Sequence, residues 1–162
     1  VKINAALATP TDLTDSQVGK IVPALNQLIA DAYALAVKTE NFHWHVSGAH
    51  FRDYHLLFDE QASSISDSID PLAERVRKLG GVTIRSIGQI AKLQNIVDND
   101  DNFVSAEDMI MELLSDNSLM VSSIRAAAEL CEKNGDCASA NLLQDLLNEA
   151  EKRVWFLFEA SV

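Results

Sequence analysis

Glycine and proline are scarce, six and three residues in a chain of 162, and that argues against an all-β or a disordered protein. No run of eighteen apolar residues occurs, so no ordinary transmembrane helix is expected. A basic-then-apolar secretory pattern is also missing from the N-terminus, and a soluble cytoplasmic protein is the expectation. Bases are outnumbered, 13 against 24 acids, for a net charge of −11. The chain therefore lacks the basic patch or tail of a free-standing nucleic-acid binder, while its charge suits the attraction of cations. Only two cysteines occur, Cys131 and Cys137. They have no CxxC spacing and no histidine nearby, so they read as free thiols in a reducing compartment.

Apolar residues, 48% of the chain, recur mostly at helical spacing. Residues 1–14 read as a short, weakly structured tail whose only base is Lys2. The chain opens on Val1 rather than Met, so the native tail is expected to be processed or longer. Thr14 or Asp15 can cap a helix running to about His45, with Val18, Ile21, Val22, Leu25, Leu28, Ile29, Ala32 and Leu35 on one face. Gly48 suits a left-handed position after it. A second helix is expected from Phe51 to Leu79, closed by Gly80-Gly81 and kinked near Asp67–Asp70 by Pro71, with a break at Pro71 as the alternative. Residues 82–104 form a long crossover containing a short helix over Ser86–Leu93. A third long helix starts at Ser105 and ends near Lys133, and a fourth covers about Cys137–Ala160. The fold class is all-α: a four-helix bundle with a short extra helix in the crossover between the second and third helices.

All four histidines, His43, His45, His50 and His55, fall between Asn41 and His55, beside Trp44. His55 and Asp59 are one helical turn apart, as are Asp70 and Glu74. At ~100° per residue these four positions fall within about 100° of one another, a stripe of metal-ligand side chains. His55 and Asp70, however, would stand ~22 Å apart along an unbroken helix. One ion cannot reach both in one chain. Either the helix breaks or a second, antiparallel copy supplies the other half, and the spacing suggests a site shared between subunits. Histidine with Asp and Glu suits Fe(II), Mn(II) or Zn(II).

The segments KTENFHWHVSGAHFRDYHLLFDEQ and SISDSIDPLAERVRKLGG, with RVWFLFE near the C-terminus, resemble the signature of Dps proteins, the ferritin-like mini-ferritins. The resemblance covers essentially the whole chain, a tail over 1–14 and a ferritin-like domain over 15–162. It implies a hollow homododecamer with a ferroxidase centre at each two-fold interface. The implied iron ligands are His43, His55 and Asp59 from one subunit and Asp70 and Glu74 from its partner, with Trp44 beside them as a redox-assisting aromatic. The implied reaction is oxidation of Fe(II), preferably by hydrogen peroxide rather than O2, with ferric mineral stored inside and the cell and its DNA protected from oxidative damage. An alternative within the resemblance is a nucleoid DNA-binding protein with secondary ferroxidase activity. Many Dps proteins bind DNA through a lysine-rich tail. Here the tail offers only Lys2 and the net charge opposes phosphate, so strong DNA binding is not expected. Asp136 and Asp145 are the candidates for an acidic iron-entry pore, although Asn141 stands where an acid is usual. His45 and His50 are expected as surface residues or mineral contacts.

Overall fold

The structure, a computed structural model, describes residues 4–162, so Lys2 lies outside the described residues. Helix α1 spans Asp15–His45. Thr14 opens it with a reciprocal cap: its hydroxyl accepts the Gln17 N–H at 3.3 Å, and Gln17 Oε1 accepts the Thr14 N–H at 2.8 Å. Both groups would otherwise be orphaned at the helix start. The helix ends as the backbone turns extended at Val46, and Gly48 takes a positive φ of 109°.

The single helix expected over Phe51–Leu79 is two helices, α2 (Phe51–Asp67) and α3 (Ile69–Lys78), interrupted at Ser68. The interruption falls where the kink was expected, one turn ahead of Pro71 rather than at it. Proline has no N–H for the carbonyl four residues back, Asp67, and its ring crowds that carbonyl. Pro71 itself sits in the first turn of α3, where N–H groups have no intrahelical partner anyway. Ser68 covers the gap by donating its hydroxyl to Ile65 O at 2.6 Å. At the far end Gly80, at φ 76°, closes α3 with paired bonds: Gly80 N–H to Arg77 O and Gly81 N–H to Val76 O, both 3.0 Å.

Residues 4–14 carry more structure than a loose tail. They form a short 3-10 turn at Ala5–Leu7, and Arg77 Nη2 donates to Leu7 O at 2.8 Å. A side chain on Gly80 would come within 2.7 Å of Thr9 O, so glycine there is also what lets the segment lie against the end of α3.

The crossover holds α4 (Ile87–Leu93), the short helix expected there, capped by Ser86. Helix α5 spans Ala106–Lys133 behind Ser105, and α6 spans Cys137–Ser161 behind Asp136. Helix α5 packs along α6, and α1 packs against α2, α3, α4 and α5. The four long helical units, counting α2–α3 as one, enclose a core that includes Ile21, Leu25, Leu35, Phe42, Phe58, Ile65, Leu113, Leu143 and Leu157. Each such side chain contributes roughly 1.5–3 kcal/mol on burial.

A second face of α1 is polar and holds the crossover backbone. Asn26 Nδ2 donates to Val82 O at 2.9 Å, and Gln27 donates to Leu93 O. Buried Asp31 accepts the N–H of Asn95 at 2.5 Å and of Ile96 at 3.2 Å. Lys38 donates to Val97 O at 2.9 Å and Asn41 to Asn99 O at 3.2 Å. Lys38 also meets Asp116 at 2.8 Å and Glu112 at 3.0 Å on α5. Burial pulls its ammonium pKa down, but the hydrogen bonds and charges of Asp116 and Glu112 together overcome that and hold it above the ordinary lysine value. Deeper in the bundle, Arg153 on α6 donates to Asn117 Oδ1 at 2.9 Å and Ser64 Oγ at 3.0 Å, tying α5 and α2 together. With no carboxylate bonded to it among the described residues, burial lowers its pKa to about 10.

Asp136 is 3% exposed. Its Oδ1 accepts the Ser139 N–H at 2.9 Å and Arg75 Nη2 at 2.7 Å, while Oδ2 accepts the Ser139 hydroxyl. Replacing Asp136 with Ala removes a cap and leaves Arg75 without its acid. The expected loss is about 3 kcal/mol, against roughly 0.5 kcal/mol or less for Asp145→Ala at an exposed position. Thermal and denaturant unfolding of the two variants checks this, and equal midpoints would contradict the assignment of Asp136 as a structural cap.

Candidate metal centre

His43 lies in the last turns of α1 and His55 in the second turn of α2. The intervening turn brings them together in a reciprocal clasp. His43 Nδ1 stands 2.7 Å from His55 O, and His55 Nδ1 stands 2.8 Å from His43 O. A carbonyl can only accept, so each Nδ1 carries the proton and each Nε2 keeps its lone pair. The rings stack with centroids 3.8 Å apart at an interplanar angle of 22°. Two half-buried imidazoles are thus fixed in the tautomer that ligates through Nε2, the arrangement that carbonyl partners impose on metal-binding histidines.

The carboxylates are placed otherwise. Asp59 lies one turn beyond His55 on α2, Asp70 is the second residue of α3 and Glu74 lies one turn further on. All three are exposed. Glu74 has only a long contact with Lys78, 3.4 Å, and Asp59 and Asp70 accept no side-chain bond among the described residues. Nor do three His, Cys, Asp or Glu side chains converge within one chain among these residues. The break at Ser68 does not fold Asp70 and Glu74 back onto the histidine pair. One chain therefore holds no complete set: the imidazole pair with Asp59, expected as one half-set, and Asp70 with Glu74 beyond the break, expected as the other, do not converge on a common ion among the described residues.

Comparison with known proteins gives this bundle its relatives. The ferritin-like domain family matches residues 22–160. A DNA protection during starvation protein of Halobacterium salinarum is 37% identical over 133 residues, 80% of this chain and 71% of that one. DpsC from Streptomyces coelicolor superposes with a TM-score of 0.91 at 30% identity, covering 95% of this chain and 90% of the other. The Dps protein from Vibrio cholerae O1, described as a member of a broad superfamily of ferritin-like diiron-carboxylate proteins, superposes with a TM-score of 0.88 at 29% identity over 96% of this chain and 98% of that one. The chain belongs to the Dps family of ferritin-like proteins.

In this Dps chain Trp44 is 65% exposed and lies in a groove that also contains Asp70. It therefore follows a histidine in sequence and faces a carboxylate of the other half-set in space. His45 is exposed and its Nδ1 bonds back to Asn41 O at 2.8 Å. His50 is the residue before α2, its ring 5.8 Å from that of Tyr54. Neither joins the clasp. Of the two pore candidates, Asp145 is exposed beside exposed Asn141. Asp136 has both oxygens committed to the α6 cap and to Arg75, so a role facing solvent is not what its geometry supplies. Both cysteines are free, Cys131 buried and Cys137 exposed. Burial, aided by the nearby Asp136 charge, pushes the Cys131 thiol up to about 11, which keeps it unreactive at neutral pH.

Among the described residues no helix is long and apolar enough to cross a membrane. Neutron diffraction on the metal-free protein is expected to place a hydrogen on Nδ1 of both His43 and His55. Density on Nε2 of either ring instead would contradict the clasp.

Proposed function

We propose that this protein oxidises Fe(II) at centres built between two copies of the chain and stores the ferric product inside a hollow shell of twelve. The observation that carries this reading is the His43–His55 clasp. It leaves two Nε2 lone pairs free in a chain whose remaining ligand candidates, Asp59, Asp70 and Glu74, are exposed and do not converge with them among the described residues. A two-fold partner supplies the missing half. His43, His55 and Asp59 of one copy and Asp70 and Glu74 of the other would hold the iron substrate. The diiron-carboxylate description of the Vibrio cholerae neighbour supports a pair of ions in each centre.

The chemistry follows from the donors. Carboxylates favour Fe(III) over Fe(II) because their charge interacts more strongly with the higher valence, which lowers the cost of oxidation. The imidazoles hold the ion without adding charge. Hydrogen peroxide, the preferred oxidant, takes one electron from each of two Fe(II) ions and, with two protons, leaves as two waters. Paired delivery avoids the one-electron reduction that would release a hydroxyl radical. O2 serves as the slower oxidant. Trp44, oxidisable and beside the centre, intercepts a stray radical equivalent.

Protection of DNA, the role printed in the name of the Halobacterium relative, follows here from removal of iron and peroxide rather than from coating the nucleic acid. A net charge of −11 opposes phosphate, and residues 4–14 hold no lysine or arginine.

Stopped-flow measurement of ferric absorbance tests the proposal. Peroxide-driven oxidation is expected to be faster than with O2, and Asp59→Ala is expected to slow it by roughly 10–100-fold, as loss of a metal-site group does. Equal slow rates in both proteins would remove the catalytic reading. No retardation of plasmid DNA is expected at physiological salt, and salt-sensitive retardation would favour the nucleoid-binding alternative.

A further inference from the structure

The bundle leaves a cavity of about 280 Å3 between α2, the start of α3, α5 and α6, with Leu28 of α1 also on its wall. Leu72, Met120, Ile124 and Leu146 make most of that wall apolar. Arg153 and its hydrogen-bond partner Ser64 both line it. Arg153 is 7% exposed. Its Nε donates to Asn117 Oδ1 and its Nη1 to Ser64 Oγ, both neutral acceptors, and Nη2 has no partner among the described residues. Other cations held in the fold are answered by acids, Lys38 by Asp116 and Glu112 and Arg75 by Asp136. Exposed Glu149, one turn earlier on α6, acts on Arg153 only through its field, which raises the guanidinium pKa against the effect of burial. At about 10, the group still carries its charge at neutral pH. A buried cation with neutral partners alone is costly, and an anion that joins it removes much of that cost.

We propose that this cavity binds a small apolar monocarboxylate, its carboxylate on Arg153 and its hydrocarbon chain against Leu28, Leu72, Ile124 and Leu146. A guanidinium presents five N–H groups in a planar fork. Asn117 and Ser64 take one each, so Nη1 and Nη2 keep hydrogens for both oxygens of a carboxylate. The volume lies near the lower limit for ligand pockets, which favours a short chain. The rim sets the charge of the ligand. Asp67 and Glu149 also line the cavity and are exposed. Solvent screens them, but a dianion such as phosphate meets twice the repulsion of a monocarboxylate, with no second cation to offset it. A neutral alcohol fits the wall and leaves the guanidinium unanswered. The site lies within one chain and uses none of the candidate iron ligands.

Calorimetric titration of the assembled, metal-free protein with hexanoate tests this. Saturable binding of one hexanoate per subunit is expected. Hexanol is expected to bind roughly 10–100-fold more weakly, as loss of a charge-assisted hydrogen bond implies, and inorganic phosphate to give no heat. Leu146→Trp fills the cavity from a half-buried position without touching Asn117 or Ser64, and is expected to abolish binding. Arg153→Gln should reduce hexanoate to the level of the alcohol, and Arg153→Lys, which keeps the charge but not the fork, should recover part of the loss. Hydrogen exchange gives a second readout: hexanoate should slow the amides of residues 67–72, around the break at Ser68, in wild type and not in Leu146→Trp. Should Arg153→Gln fail to assemble, Leu146→Trp and the alcohol comparison still decide. Absence of saturable hexanoate binding to wild type would overturn the proposal, as would equal binding to Leu146→Trp, which places the ligand elsewhere. Hexanol as tight as hexanoate, or phosphate binding in its stead, would show that Arg153 does not select a monocarboxylate and would overturn it too.

Discussion

The polar edge of α1 fixes what the rest of the molecule can do. Asn26, Gln27, Asp31, Lys38 and Asn41 bind backbone groups of the crossover along almost the whole helix. A crossover backbone lying on the bundle would bury carbonyl and N–H groups at considerable cost if α1 did not meet them. With that edge occupied by the crossover and a second edge by the core, the remaining strip is Tyr33, Val37, Glu40 and Trp44. This strip faces outward, beside the groove that holds Asp70. Three faces of one helix thus serve the core, the loop and the groove beside Asp70.

The clasp of His43 and His55 works at the end of the same helix. Each ring gives its proton to the other residue's backbone, so orientation of the ligand nitrogens depends on the α1–α2 turn and not on a separate supporting residue. On the shared-centre reading, such coupling makes the turn at Val46–Gly48 part of the chemistry. It also explains how half-buried rings stay ordered before any metal arrives: two charge-neutral hydrogen bonds and a stacked contact replace the water they lose.

Much of this was readable beforehand, for local reasons. Thr14, Ser86 and Ser105 cap helices by contacts within a few residues, and Gly80 and Gly135 supply positive φ just past helix ends; sequence carries such signals directly. The ligand spacing of His55/Asp59 and Asp70/Glu74 also fixed the distance argument without coordinates. The crossover-holding face of α1 gives no such signal, although its polar residues recur at steps of one to seven positions, because polar side chains on a helix ordinarily face water. Asp136 is ambiguous for a similar reason. An acid at the start of a helix reads equally as a cap or as a pore lining, and only the approach of Arg75, 61 positions earlier, decides between them. The proline signal holds in kind and in place: the interruption at Ser68 falls within the Asp67–Asp70 window because the lost bond belongs to Asp67.

The separation of the two half-sets has a consequence for the life of the chain before assembly. On the shared-centre reading, a newly made monomer carries no complete iron site, and iron chemistry starts only when two copies meet. Reactivity then rises with the square of the free subunit concentration at low abundance and saturates once the interfaces form. A lone subunit would be redox-silent, and damaging intermediates would arise only where a second copy already encloses them.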